Sequence, residues 1–318
     1  MEGKARARAR ARACSCSRIN TGACGKPSFN RGALSGPAML RAILFLFGWM
    51  VGAAAAAAPA TAPAPFVPTR FSVVVSGQGP DVILIPGLAG SRSVWRAGAA
   101  AVPGYRYHFV QVAGFAGAPA GGNRSGQVVA PLAAELARYI AANRLDRPAL
   151  VGHSMGGSVA MMVAARHPSR VGRVMVVDML PQPAGLFGSS AAGVRSLANA
   201  LRIMGQGPEG RPMVESAIRL FAGRQAAGSR SDPDVVARAT HELALTDLTP
   251  ELARVRSPLT IVYASPHPER RLFIDRAYRS AYAGVPQARL VRIDQSGHLV
   301  MADQPARFAA ELEKFLTR

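Results

Sequence analysis

From residue 70 to the C-terminus, short apolar runs alternate with longer stretches of helical spacing. The runs are continuous rather than strictly alternating, as in strands buried on both faces of a parallel sheet. They predict strands at Phe71–Val75, Val82–Ile85, Tyr105–Val112, the run ending at Gly152, Val171–Val177, Leu259–Tyr263 and Arg289–Ile293. Between them, helical spacing is read near Trp95, over 128–143, directly after Ser154, and over 269–283 and 304–316. Strand and helix in alternation imply βα units and an α/β fold.

Residues 181–256 interrupt this rhythm. After Pro181, Pro183 and Gly185 they read as helices at roughly 189–204, 212–222 and 233–245. Val194, Leu197, Leu201 and Met204, like Ile218 and Phe221, are spaced for one helical face. The segment is a helical insertion that divides the core into 70–180 and 257–318.

The first 69 residues follow other rules. Lys4 to Arg12 alternate Ala with basic residues and show no apolar periodicity; we read residues 1–38 as disordered, or as an extension upstream of the true start. Met39-Leu40-Arg41, the apolar run Ala42–Val51 and the small-residue stretch Ala53–Ala60 have the layout of a signal peptide over 39–60. Cleavage near Ala58 or Ala60 would export the protein to the periplasm or beyond. The apolar part is shorter than the ~20 residues that a spanning helix needs; a retained membrane anchor over 40–58 is the alternative. Residues 61–69 form a Pro-rich linker.

Composition changes this picture little. Hydrophobic residues make up 49% of the 318, enough for a sizeable core. The formal charge of +20 invites a nucleic-acid reading. However, residues 1–38 hold eight Lys and Arg against Glu2 alone, and Phe29 is their only aromatic. The remaining basic residues are spread along helices, so no nucleic-acid partner is expected. All three cysteines, at 14, 16 and 24, lie in that same segment, which leaves the body without thiol chemistry. No Walker loop, H-E-x-x-H or clustered His/Cys set is present, so neither a cofactor nor a metal is expected.

The chemistry-bearing stretch is Gly152-His153-Ser154-Met155-Gly156, a G-x-S-x-G pattern between an apolar run and a small-residue helix. Such a turn presents a serine as nucleophile. Acyl transfer also needs a base for the hydroxyl, an acid that orients the base, and donors for the oxyanion. Of the six histidines, only His298 directly follows a strand, in Asp294-Gln295-Ser296-Gly297-His298.

Pro86-Gly87-Leu88, Gly152-His153-Ser154-Met155-Gly156 and Gly297-His298, followed by Asp303-Gln304-Pro305, resemble the α/β-hydrolase superfamily from about residue 70 to 318. The resemblance implies a mostly parallel eight-stranded sheet with helices on both faces and a helical cap after strand six, where the insertion falls. It implies an oxyanion hole from the backbone N–H groups of Leu88 and Met155. It also implies an Asp after strand seven, which this chain lacks. The corresponding stretch, Ile261 to Glu269, offers only Glu269, after two prolines. Asp178, at the tip of the strand before the insertion, is the preferred acid, as in relatives that place it after strand six. Glu269 is the alternative, while Asp294 and Asp303 are weaker candidates.

A serine nucleophile excludes the dehalogenase and epoxide-hydrolase versions of that fold. The expectation is an exported or envelope hydrolase acting on a carboxylic ester or thioester of a small acyl substrate, a hydrophobic one where the apolar helical faces of the insertion line the site. A non-catalytic binding protein on the same scaffold is the alternative, as is a perhydrolase or C–C hydrolase using the same triad.

Overall fold

The computed structural model describes residues 66–183 and 230–317, with Gly193, Ser196 and Asn199 between them. Apart from those three residues, the predicted helix at 189–204, like that at 212–222, the signal segment and residues 1–38, lies outside the described residues.

Seven strands form one sheet: β1 (Phe71–Ser76), β2 (Asp81–Ile85), β3 (Arg106–Val112), β4 (Ala149–His153), β5 (Arg173–Val177), β6 (Leu259–Ser265) and β7 (Ala288–Asp294). Their spatial order is β1-β3-β2-β4-β5-β6-β7. β1 is antiparallel to β3, and every other pairing is parallel. The sheet thus has seven strands among the described residues, not the eight that the resemblance implied. Before β1, the backbone N–H groups of Thr69 and Arg70 are taken by the Glu135 carboxylate at 2.7 and 2.9 Å, and Pro68 has none to give. Their carbonyls still bond across: Ala113 N–H donates to Arg70 O and Gly122 N–H to Thr69 O, each at 2.9 Å.

The continuous apolar runs follow from two cores, one on each face. Side chains of a strand point alternately to the two faces. Ile83, Ile85, Leu150, Val174, Val176 and Ile261 join the core under α2 (Val129–Ala142) and α3 (Met155–Arg166). Their neighbours Val82, Leu84, Val151, Met175, Val177 and Val262 join the other, under α1 (Arg96–Ala101) and the C-terminal helix (Pro305–Thr317). On that side Gly98 lets α1 approach closely: a Cβ there would lie 2.9 Å from the Phe308 ring.

The last helix of the insertion, α4 (Pro233–Leu245), occupies the residues predicted for it. Val235, Val236, Ala239 and Leu243 are buried in the α2–α3 core. Its Glu242 carboxylate accepts the N–H groups of Val128, Val129 and Ala130 at 2.7, 2.8 and 2.8 Å. That caps α2, whose own N-cap residue, Val128, provides no side-chain hydrogen bond. The chain leaves the sheet after β5 and returns beside its exit point, where Leu248 N–H donates to Pro181 O at 3.0 Å. α5 (Arg271–Ala281) then connects β6 to β7, and the short α6 (Val300–Asp303) precedes the C-terminal helix, α7.

β2 lies between β3 and β4, so successive connections run in opposite directions from it. This is a topological switch point, beyond whose carboxyl strand ends α/β proteins open a crevice.

Candidate active site

The turn from β4 into α3 is tight enough to require its glycines. A Cβ on Gly152 would lie 2.1 Å from the Gly156 carbonyl oxygen; one on Gly156 would lie 2.2 Å from the oxygen of Ile85. Neither backbone oxygen can swing aside as a flexible side chain would. Ser154 takes φ 53° and ψ −123°, a conformation that costs on the order of 1–3 kcal/mol for a residue with a side chain. It is held there by its neighbours: its N–H donates to Val177 O at 2.9 Å, and its carbonyl accepts Gly157 N–H at 2.7 Å.

The 86–90 loop lies against this turn. A Cβ on Gly87 would stand 3.1 Å from Ser154 Cβ and 2.8 Å from His153 Nδ1. Gly90 N–H closes the loop onto Gly87 O at 3.0 Å. Among the described residues, the N–H groups of Leu88 and Met155 have no acceptor in these turns. Met155 is the first residue of α3, where backbone N–H groups lack helical partners and the helix dipole favours negative charge.

Asp178 follows β5 directly and is buried, with φ 51°. Its N–H donates to Val262 O at 2.7 Å, which continues the β5–β6 ladder by one residue and aims the side chain across the strand ends. Oδ2 lies 2.7 Å from His298 Nδ1. Oδ1 accepts both Ala264 N–H and the Tyr278 hydroxyl, each at 2.9 Å. A carboxylate accepting from Nδ1 fixes the proton there, so neutral His298 keeps Nε2 free as a base. The His298 side chain is 32% exposed, so solvent and substrate can reach it.

The other carboxylates are engaged elsewhere. Glu269 lies on an exposed turn, Pro268–Arg270, and among the described residues has no hydrogen-bond or ion-pair partner. Asp294 is paired with Arg292 and Arg271. Asp303 accepts Gly297 N–H at 2.8 Å and so holds the loop before His298 rather than its ring.

Two side chains at the site were not singled out from the sequence. His153 is buried; its Nε2–H donates to His298 O at 2.8 Å, and the two rings lie 4.6 Å apart. Burial pushes its pKa down to about 3, with the neighbouring His298 adding to the shift, so it stays neutral. Tyr278, on α5, supplies the second donor to Asp178. Burial and the adjacent carboxylate raise its pKa well above the ordinary range, so it remains a donor. Tyr278 stacks on Tyr263 at 4.3 Å; the Tyr263 hydroxyl, its pKa pushed up by burial to about 12, donates to Asp275 Oδ1 at 2.9 Å. One turn beyond Tyr278, Tyr282 donates instead to Met179 O at 2.7 Å. The available signal was two tyrosines four residues apart on one face of a helix; a buried phenol needs a partner for its hydroxyl.

A strained serine at a strand–helix turn, two backbone N–H groups beside it and a histidine–carboxylate pair thus stand at the same strand ends. Residues 82–311 match the alpha/beta hydrolase family, and the chain belongs to it. A pimeloyl-[acyl-carrier protein] methyl ester esterase of Aeromonas hydrophila is 26% identical over 274 residues, covering 77% of this chain and 98% of that one. The enol-lactonase of Burkholderia xenovorans LB400 superposes with a TM-score of 0.63 at 17% identity, over 79% of this chain and 97% of its own. A thermophilic esterase from Thermogutta terrifontis gives 0.62 at 20%, over 78% and 93%. At these identities the two structures establish the fold. The hydrolase class rests on the family match and the esterase relative together.

Proposed function

We propose that this chain is a serine hydrolase that cleaves a carboxylic ester or thioester through an acyl-enzyme. The observation that carries the reading is the 2.7 Å contact between His298 Nδ1 and Asp178 Oδ2, at the same strand ends as the strained Ser154 turn. In this reading Ser154 Oγ attacks the acyl carbon and gives its proton to His298 Nε2, while Asp178 stabilises the resulting imidazolium. The N–H groups of Leu88 and Met155 receive the charge that develops on the carbonyl oxygen. The tetrahedral adduct collapses, His298 protonates the departing alcohol or thiol, and water repeats the sequence to release the acid. The methyl ester named for the Aeromonas relative supports an ester as the scissile group. The signal-like segment 39–60 supports export, with 181–256 as a cap over the site.

The test uses protein starting near Thr61, a panel of p-nitrophenyl esters and acyl thioesters of graded length, and a fluorophosphonate probe. Ester turnover and labelling in wild type, both absent from Ser154→Ala, are the expected result. Near-wild-type turnover in Ser154→Ala would overturn the mechanism. A wild-type protein inert to every substrate and to the probe would leave a binding protein on a hydrolase scaffold.

A further inference from the structure

Resting on the hydrolase reading, we infer that Tyr278 is a positioning residue for the reaction: its hydroxyl, together with Ala264 N–H, saturates Oδ1 of Asp178 so that Oδ2 alone faces His298. Both donors stand at 2.9 Å, and the side chains of Asp178 and Tyr278 are buried. With Oδ1 engaged twice, the carboxylate cannot rotate to offer His298 the other oxygen without abandoning two charge-assisted hydrogen bonds at a buried carboxylate, where each is strong. The two donors also draw charge from the carboxylate, which limits how strongly it favours the protonated imidazole. Tyr278 thus acts on the base through the acid, fixing both its direction and its proton affinity.

The same helix supplies a control. Tyr282 is equally buried and donates to Met179 O at 2.7 Å, not to the carboxylate. Tyr282 is itself within electrostatic reach of Asp178 without bonding to it; from other elements the groups facing the pair are His153, from the end of β4, and Asp303, which reaches the preceding loop through Gly297 N–H from α6. Neither is altered by changes on α5.

Tyr278→Phe deletes the one hydroxyl and keeps the ring. Its kcat should fall about tenfold, the size of one charge-assisted hydrogen bond, with KM unchanged. The acid limb of kcat/KM should move up by roughly half a unit, because a less neutralised carboxylate stabilises the imidazolium. Tyr282→Phe should show comparable loss of thermal stability with neither kinetic change. A Tyr278→Phe enzyme with wild-type kcat and an unmoved limb would overturn the inference, as would equal pH shifts in both variants. NMR titration of the His298 imidazole in wild type and Tyr278→Phe needs no turnover. An upward shift supports the role of Tyr278 even if the chain hydrolyses nothing, and an unchanged titration ends it even if the hydrolase reading stands.

Discussion

His298 and Asp178 are 120 residues apart in sequence and 2.7 Å apart in space. The pairing follows from the β5–β6–β7 ladder, which places the end of β5 beside the ends of β6 and β7. Asp178→Asn should keep the fold and lose about ten-thousandfold in ester turnover, since the amide offers a donor where Nδ1–H needs an acceptor. Glu269→Gln, on its exposed turn, should turn over ester within twofold of wild type. The comparison is kcat/KM on one p-nitrophenyl ester; the opposite ranking would move the acid to Glu269.

The turn around Ser154 should not accept a methyl group. Gly156→Ala would place a Cβ 2.2 Å from the oxygen of Ile85 and 2.7 Å from that of Pro86. The clash is with backbone, so relief requires β2 or α3 to shift. A loss of at least about 2–3 kcal/mol and of activity is expected. At Gly284 a Cβ would meet nothing within 4 Å. Gly284→Ala should therefore be neutral or stabilise by up to about 1 kcal/mol. Urea unfolding of the two variants measures both effects.

Glu242 performs a capping task at a distance. Glu242→Ala would strand three N–H groups at the start of α2, two of them bonded at 2.8 Å and one at 2.7 Å. A loss of about 2–3 kcal/mol is expected, and Glu242→Gln, which keeps one acceptor, should lose less. Equal unfolding midpoints for wild type and Glu242→Ala would show that the cap contributes nothing.

Acid sensitivity should trace in part to His153. The unfolded chain binds a proton there below about pH 6.5, whereas the folded chain refuses one until about pH 3. Stability from this group is therefore fully present above pH 6.5 and declines as pH falls toward 3, by up to about 1.4 kcal/mol per unit. His153→Gln should flatten the fall of the thermal midpoint between pH 6.5 and 4. His108, also buried with a lowered pKa, provides a remaining slope of the same sign. A variant whose midpoint falls as steeply as wild type would exclude His153.

Much of this architecture was legible because parallel strands buried on two faces leave continuous apolar runs. Val82–Ile85 and Leu259–Tyr263 can be seen without a structure for that reason. Gly152, Ser154 and Gly156 were legible as a turn because few residue types fit where strand and helix backbones nearly touch. The preference for Asp178 over Glu269 was legible, but its geometry was not. Both follow strands; in the fold Asp178 N–H bonds to Val262 O and its carboxylate meets His298, whereas Glu269 lies on an exposed turn. The count of eight came from the resemblance; the apolar runs themselves mark seven strands, the number in the sheet among the described residues. His153 and Tyr278 were invisible as partners because their hydrogen bonds span 145 and 100 residues.

The hydrogen bond from Leu248 N–H to Pro181 O brings together the two ends of the loop that leaves the sheet after β5. Lengthening or exchanging a closed loop costs entropy that grows only with the logarithm of its length. Asp178, three residues before Pro181, keeps its place in the ladder throughout. The fold therefore separates two dependences: α4, inside the loop, is tied to the start of α2 through Glu242, while the His298–Asp178 pair is held by the strand ladder.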